Sequence, residues 1–143
     1  MELNKIYNQE LMSHSSNPLN KFVLEDFTYE KEGVNPTCGD DITLRLKMVG
    51  DKIEDAAFSG SGCAISQASA DMLVDLILGK TKQEAIHYCE IFLSMIKGEE
   101  VSKEDLESLE EALSLKDISH MPARVKCAVL SWHTLEELLK EQS

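Results

Sequence analysis

The sequence predicts an α+β fold: a three-stranded antiparallel sheet with helices packed on it. Two observations carry that reading. β-type patterning is confined to residues 27–58, and from Cys63 onward the apolar residues recur at helical spacing between recognisable caps and stops. A third concerns size. The chain has 143 residues, which suits one domain spanning 1–143 and suffices for a core without covalent staples.

The elements follow in order. Residues 3–14 have helical spacing, with Ile6, Tyr7 and Leu11 on an apolar side, and Ser15, Ser16, Asn17 and Pro18 stop the helix. Residues 22–32 contain the β-formers Phe27, Thr28 and Tyr29, which predict a short first strand. Residues 41–48 alternate: Ile42, Leu44, Leu46 and Met48 face one way, and Thr43, Arg45 and Lys47 the other. Gly50-Asp51 makes a turn into a further strand at 52–58.

The helical half opens at residues 64–78, where Ile65, Ala68, Met72 and Leu76 form a stripe that Gly79 ends. Thr81 and Glu84 have capping-box spacing. Ile86, Cys89, Phe92, Leu93 and Ile96 line the helix they start, and Gly98 stops it. Ser102 and Asp105 open a strongly acidic helix over 102–113. Pro122 fits the first turn of a last helix over 123–140.

Composition narrows the function classes. At 43% hydrophobic residues the chain is too apolar for disorder, and no apolar run approaches the ~20 residues that span a membrane. The start, MELNKIYNQE, has neither a basic stretch nor an apolar one, so no secretory signal is expected and the location predicted is cytoplasmic. The net charge of −12 argues against nucleic acid as a partner and suits a basic protein surface. Four cysteines in a reducing compartment point to metal binding, thiol chemistry or burial rather than disulfides.

Three of those cysteines sit at chain punctuation. Cys38 lies in Asn35-Pro36-Thr37-Cys38-Gly39-Asp40 between two strands. Cys63 lies in Gly60-Ser61-Gly62-Cys63-Ala64 where strand passes into helix. Cys127 lies in the first turns of the last helix, after Pro122-Ala123-Arg124-Val125-Lys126. Such positions leave a thiol reachable, and a helix N-terminus stabilises a thiolate. Cys89, inside an apolar stripe, reads as core. Cys38 and Asp40 flank a glycine, so both can reach one centre. Three sulfurs and a carboxylate oxygen would complete a four-coordinate zinc site, and thiolates also suit iron–sulfur chemistry. The gaps between the cysteines are wide, so a shared metal site and separate free thiols both stay open on the residues alone. Arg124 and Lys126 put positive charge at a helix start, where it opposes the dipole, and this favours a role beside Cys127. Of the histidines, His14, His87 and His133 read as surface or packing. His120, seven residues before Cys127, is a further ligand candidate.

The segments NPTCGD, GSGCAIS and PARVKCA resemble the iron–sulfur assembly proteins of the IscU/NifU N-terminal family, over most of the chain. The resemblance implies the SufE/NifU-like (IscU-like) fold, with three cysteines gathered at one end. Scaffold members carry a histidine directly before the third cysteine, where this chain has Lys126. An added helical segment also lies between Gly79 and Pro122. Both features are similar to the SufU-type branch. That branch implies zinc on Cys38, Asp40, Cys63 and Cys127, and a SufS-type cysteine desulfurase as partner, which itself holds pyridoxal phosphate. It further implies that a partner histidine replaces Cys38 on the zinc, and that the freed Cys38 accepts persulfide sulfur with Arg124 assisting. A downstream iron–sulfur scaffold would receive the sulfur. The alternative within the family is a scaffold that assembles a transient [2Fe-2S] cluster on the same cysteines.

Overall fold

The alternation at Ile42, Leu44 and Leu46 becomes the centre of the sheet in the computed structural model, which describes residues 9–142. Strand β1 (Tyr29–Asn35), β2 (Asp40–Val49) and β3 (Lys52–Ser61) pair antiparallel in the order β1-β2-β3. Ile42, Leu44, Leu46, Ile53 and Phe58 are completely buried, so one sheet face forms one wall of the core. Met48 falls after a register shift at Lys47/Met48 and is only half-buried.

The helical layer is α1 (Gln9–Ser16), α2 (Ala64–Ile77), α3 (Lys82–Ile96), α4 (Lys103–Ser108), a 3₁₀ segment (Glu110–His120) and α5 (Pro122–Glu141). Helix α2 is central, buried along most of its length. Trp132 of α5 stacks on Phe92 of α3 with ring centroids 3.9 Å apart. Its Nε1 donates to Ser69 Oγ at 2.8 Å, and that hydroxyl donates to the Ala128 carbonyl at 2.6 Å. The Trp132 indole is thus a satisfied polar group in an apolar setting. None of the helices described is long and apolar enough to cross a membrane.

Three expectations are corrected. The first strand lies at Tyr29–Asn35, overlapping only the end of the 22–32 stretch and running beyond it. Phe27 instead lies under the Arg45 guanidinium at 4.3 Å, and Thr28 fringes the sheet, its N–H donating to the Leu46 carbonyl at 2.7 Å and its Oγ1 accepting from the Met48 N–H at 2.9 Å. Gly33 lies within this strand with α5 packed onto it: a Cβ there would meet Thr134 Oγ1 at 2.0 Å. Strand β3 runs on to Ser61 rather than ending at Phe58. Gly60 has φ of 113°, and a Cβ there would lie 2.0 Å from the Asp41 carbonyl, so only glycine lets the strands close up at this point. The acidic helix over 102–113 is broken: α4 ends at Ser108, and Glu110 turns with φ of 53° into the 3₁₀ segment. Leu109, Ala112, Leu115 and Ile118 are buried there, the every-third-residue stripe of a three-residue turn. The helix expected at 3–14 is seen from Gln9 to Ser16, and its Ile6 and Tyr7 lie outside the described residues.

Helix α1 is fastened by His14. Its Nδ1 meets Asp71 Oδ2 at 2.6 Å, its Nε2 meets the Glu111 carboxylate, and Asp75 of α2 also faces the ring. Burial alone would lower the His14 pKa, but the hydrogen bonds to Glu111 and Asp71 outweigh it and raise the pKa above 6.5. A raised folded-state value means the fastening stabilises fully below the unfolded value and is lost as pH rises through the folded one. His14→Gln is expected to cost about 1 kcal/mol in urea melts near pH 6 and progressively less in alkaline buffer. A cost that is the same at both ends of that range would show that the charge on His14 is not what holds α1.

Candidate metal centre

The sheet and two helix starts converge where the cysteine segments meet. Cys38 lies in the turn between β1 and β2, which is closed by its own N–H to the Asn35 carbonyl at 3.2 Å. Gly39 follows with φ of 73° and swings the chain so that Asp40 opens β2 pointing inward. Asp40 is completely buried. Cys63 is the N-cap of α2, its Sγ accepting the Ser66 N–H at 3.4 Å. Cys127 lies on the second turn of α5 and is completely buried.

Three of the four predicted ligands come together directly. One ligand atom each from Cys38, Asp40 and Cys127 lie within 4.8 Å of one another. Cys63 falls outside that circle but borders it. Its thiol engages Cys127, and its backbone N–H donates to Asp40 Oδ1 at 3.0 Å. The Cys38 thiol faces the first turn of α5, with its Sγ 3.9 Å from the Ala123 carbonyl. Arg124, the next residue, is half-buried one turn before Cys127, whereas Lys126 is exposed.

The donor set suits a divalent metal. Asp40 Oδ1 accepts from Cys63 N–H and from Ser66 Oγ at 3.1 Å, whereas Oδ2 is buried with no hydrogen-bond partner. An unpartnered carboxylate oxygen beside thiols is costly by itself and apt for coordination. Burial first, then the Cys38 and Cys63 thiols and the Asp40 carboxyl, push the Cys127 thiol well above its ordinary range. A cation reverses that balance, because it favours thiolate over thiol.

The other candidates separate from this centre. Cys89 is fully buried among apolar residues, and burial pushes its thiol up as well. His120 borders a surface cavity with Met95, Gly98 and Asp117, and His87 lies 3.8 Å from Asp105. Sequence reasoning missed Ser66, although Cys63-x-x-Ser66 is the spacing of a helix N-cap and its third residue. It also missed the cluster of His14, Asp71 and Asp75, for which residues so far apart in the chain give no signal.

The model of the NifU-like N-terminal domain matches residues 6–128. The zinc-dependent sulfurtransferase SufU of Bacillus subtilis (strain 168) is 44% identical over 135 residues, covering 94% of this chain and 90% of that protein. The iron–sulfur cluster assembly scaffold protein IscU of Streptococcus pyogenes serotype M1 is 39% identical over 142 residues, covering 99% and 87%. Among solved structures, a protein named as an iron–sulfur cluster assembly scaffold for the SUF system of Fervidobacterium islandicum AW-1 superposes with a TM-score of 0.89. It is 38% identical, with 96% of this chain and 99% of that chain covered. The chain belongs to the NifU-like N-terminal domain family.

Proposed function

We propose that this member of the NifU-like N-terminal domain family is a zinc-dependent sulfurtransferase. It would accept persulfide sulfur from a SufS-type cysteine desulfurase and pass it toward iron–sulfur cluster biogenesis. The observation that carries the reading is an asymmetry among the proposed zinc ligands Cys38, Asp40, Cys63 and Cys127. Asp40 and Cys127 are sealed inside; Cys38 and Cys63 are both half-exposed, but Cys63 is tied down as the N-cap of α2 while Cys38 sits on a turn. Three groups are built to stay and one to reach out. The SufU relative, at 44% identity, supports the zinc and sulfur-transfer parts.

Zinc, when bound, supplies the positive charge that keeps these thiols ionised at neutral pH. The chain's own residues do the transfer. The Cys38 thiolate attacks the outer sulfur of the partner's cysteine persulfide. The donor S–S bond breaks, a new S–S bond forms on Cys38, and the donor cysteine departs as thiolate. Sulfur passes with its oxidation state kept, so no oxidant or reductant enters. Arg124, next in the chain to Ala123, whose carbonyl the Cys38 thiol faces, would steady the anionic sulfur. The pyridoxal phosphate belongs to the partner desulfurase, and a downstream iron–sulfur scaffold is the expected recipient.

The second reading, a scaffold for a [2Fe-2S] cluster, draws on the IscU-named relatives and on Asp40, whose free Oδ2 could act as fourth ligand. Desulfurase turnover, followed as sulfide release, separates the two. Zinc-loaded protein is expected to accelerate turnover several-fold over metal-free protein. Equal turnover with both forms rejects the relay and leaves cluster reconstitution on the metal-free form as the measurement for the scaffold.

A further inference from the structure

The Asp40 carboxylate is held in an unusual way. It is completely buried, yet its two oxygens differ. Oδ1 carries two hydrogen bonds, from Cys63 N–H at 3.0 Å and Ser66 Oγ at 3.1 Å. Oδ2 carries none. Both donors come from the segment that bears Cys63, so one stretch of chain fixes a carboxylate of β2 and also a thiol of its own. Ser66 touches both: its hydroxyl faces Asp40 and its backbone N–H faces Cys63 Sγ at 3.4 Å.

We propose that Ser66 is a positioning residue for the metal centre, turning Asp40 so that it offers Oδ2 alone. A carboxylate free to rotate could present either oxygen or both. With Oδ1 occupied by two donors, one geometry is retained and the ligand is organised before metal arrives. The neighbouring glycine belongs to the same device. A Cβ at Gly62 would lie 2.3 Å from Ser66 Oγ and 2.8 Å from Asp40 Oδ1. Alanine there must push the hydroxyl and the carboxylate apart, whereas glycine leaves room for their bond. Ser66 is itself almost fully buried and also reaches the Cys63 carbonyl at 3.0 Å. Its single hydroxyl proton is therefore offered to two acceptors, of which a carboxylate makes the stronger hydrogen bond.

This inference rests on the zinc reading above, and the test keeps the two apart. Zinc affinity is measured by competition with a chromophoric chelator for the wild-type chain, Ser66→Ala and Ser66→Thr. Cobalt spectra of each report thiolate and oxygen ligation without reference to sulfur transfer. Ser66→Ala is expected to weaken zinc by about 10–100-fold. Its thiolate-to-cobalt bands should persist and its ligand-field bands shift, while the metal-free melting midpoint stays within a few degrees of wild type. Ser66→Thr, which keeps the hydroxyl, is expected to restore most of the affinity. Wild-type-like affinity and cobalt spectra in Ser66→Ala would overturn the positioning role and leave the zinc centre standing. Equal weakening by alanine and threonine would also overturn it, since the hydroxyl would not be the cause. A wild-type chain that takes up no zinc would overturn both readings together.

Discussion

Cys38→Ala is expected to abolish sulfur acceptance, lowering desulfurase-dependent transfer by at least about 100-fold, the scale on which removal of a nucleophile is felt. No other thiol is expected to replace it. Cys127 is completely buried on α5, Cys63 is engaged as the N-cap of α2, and Cys89 is enclosed by the core. The fold is expected to survive, because Cys38 lies in a turn and its thiol is half-exposed, 3.9 Å from the Ala123 carbonyl. Metal-free Cys38→Ala should therefore melt close to metal-free wild type. The measurement pairs sulfur transferred from the desulfurase, captured as protein-bound persulfide, with that melt. If persulfide still accumulates on the variant while its zinc-loaded midpoint drops, the metal is structural and the relay assignment fails. Cys127→Ala offers the contrast. It removes a buried group, and its main expected effect is on stability and metal retention.

Much of this was legible in the sequence, and the exceptions have physical causes. The strand at 41–48 and the caps at Thr81 and Ser102 rest on local rules of periodicity and hydrogen bonding. Accordingly β2, the reciprocal Thr81–Glu84 capping box and the Ser102 cap on Asp105 N–H are all present. The misplaced boundaries have tertiary causes. Gly33 lies within its strand with Thr134 and Leu130 packed onto it, and Gly60 is strand because β2 lies too close for any side chain. The break at Glu110 follows from the need to bury Leu109, Ala112, Leu115 and Ile118 against the helices. That every-third-residue stripe was visible in the sequence but was absorbed into an α-helical reading. At the site, punctuation picked out Cys38, Cys63 and Cys127, and a glycine linked Cys38 to Asp40. What spacing could not supply was direction: which Asp40 oxygen is left without a hydrogen bond, and that Ser66 and the Cys63 N–H hold the other.

Stripping zinc is expected to lower the melting midpoint by about 15 °C. The proposed ligands come from three segments, distant in the chain, that meet at this end of the molecule. These are the β1–β2 turn with Cys38 and Asp40, the start of α2 with Cys63, and the start of α5 with Cys127. Asp40 already bonds the α2 segment through Oδ1, so the links to be supplied are to the Cys38 turn and to α5. A ligand that binds only the folded state at free concentrations ~1,000 times its Kd stabilises by about 4 kcal/mol. For a chain of this size each kcal/mol moves the midpoint by roughly 4 °C. Part of the gain is local: metal would partner the buried Asp40 Oδ2, whose unmet need costs about 1–3 kcal/mol. Melts of zinc-loaded protein with and without a strong chelator measure this, and equal midpoints would count against a shared site. Asp40→Ala sharpens the result. It should lose zinc and respond little to chelator, since the proposed ligand carboxylate also ties β2 to the start of α2. A variant that keeps wild-type zinc affinity would remove Asp40 from the ligand set.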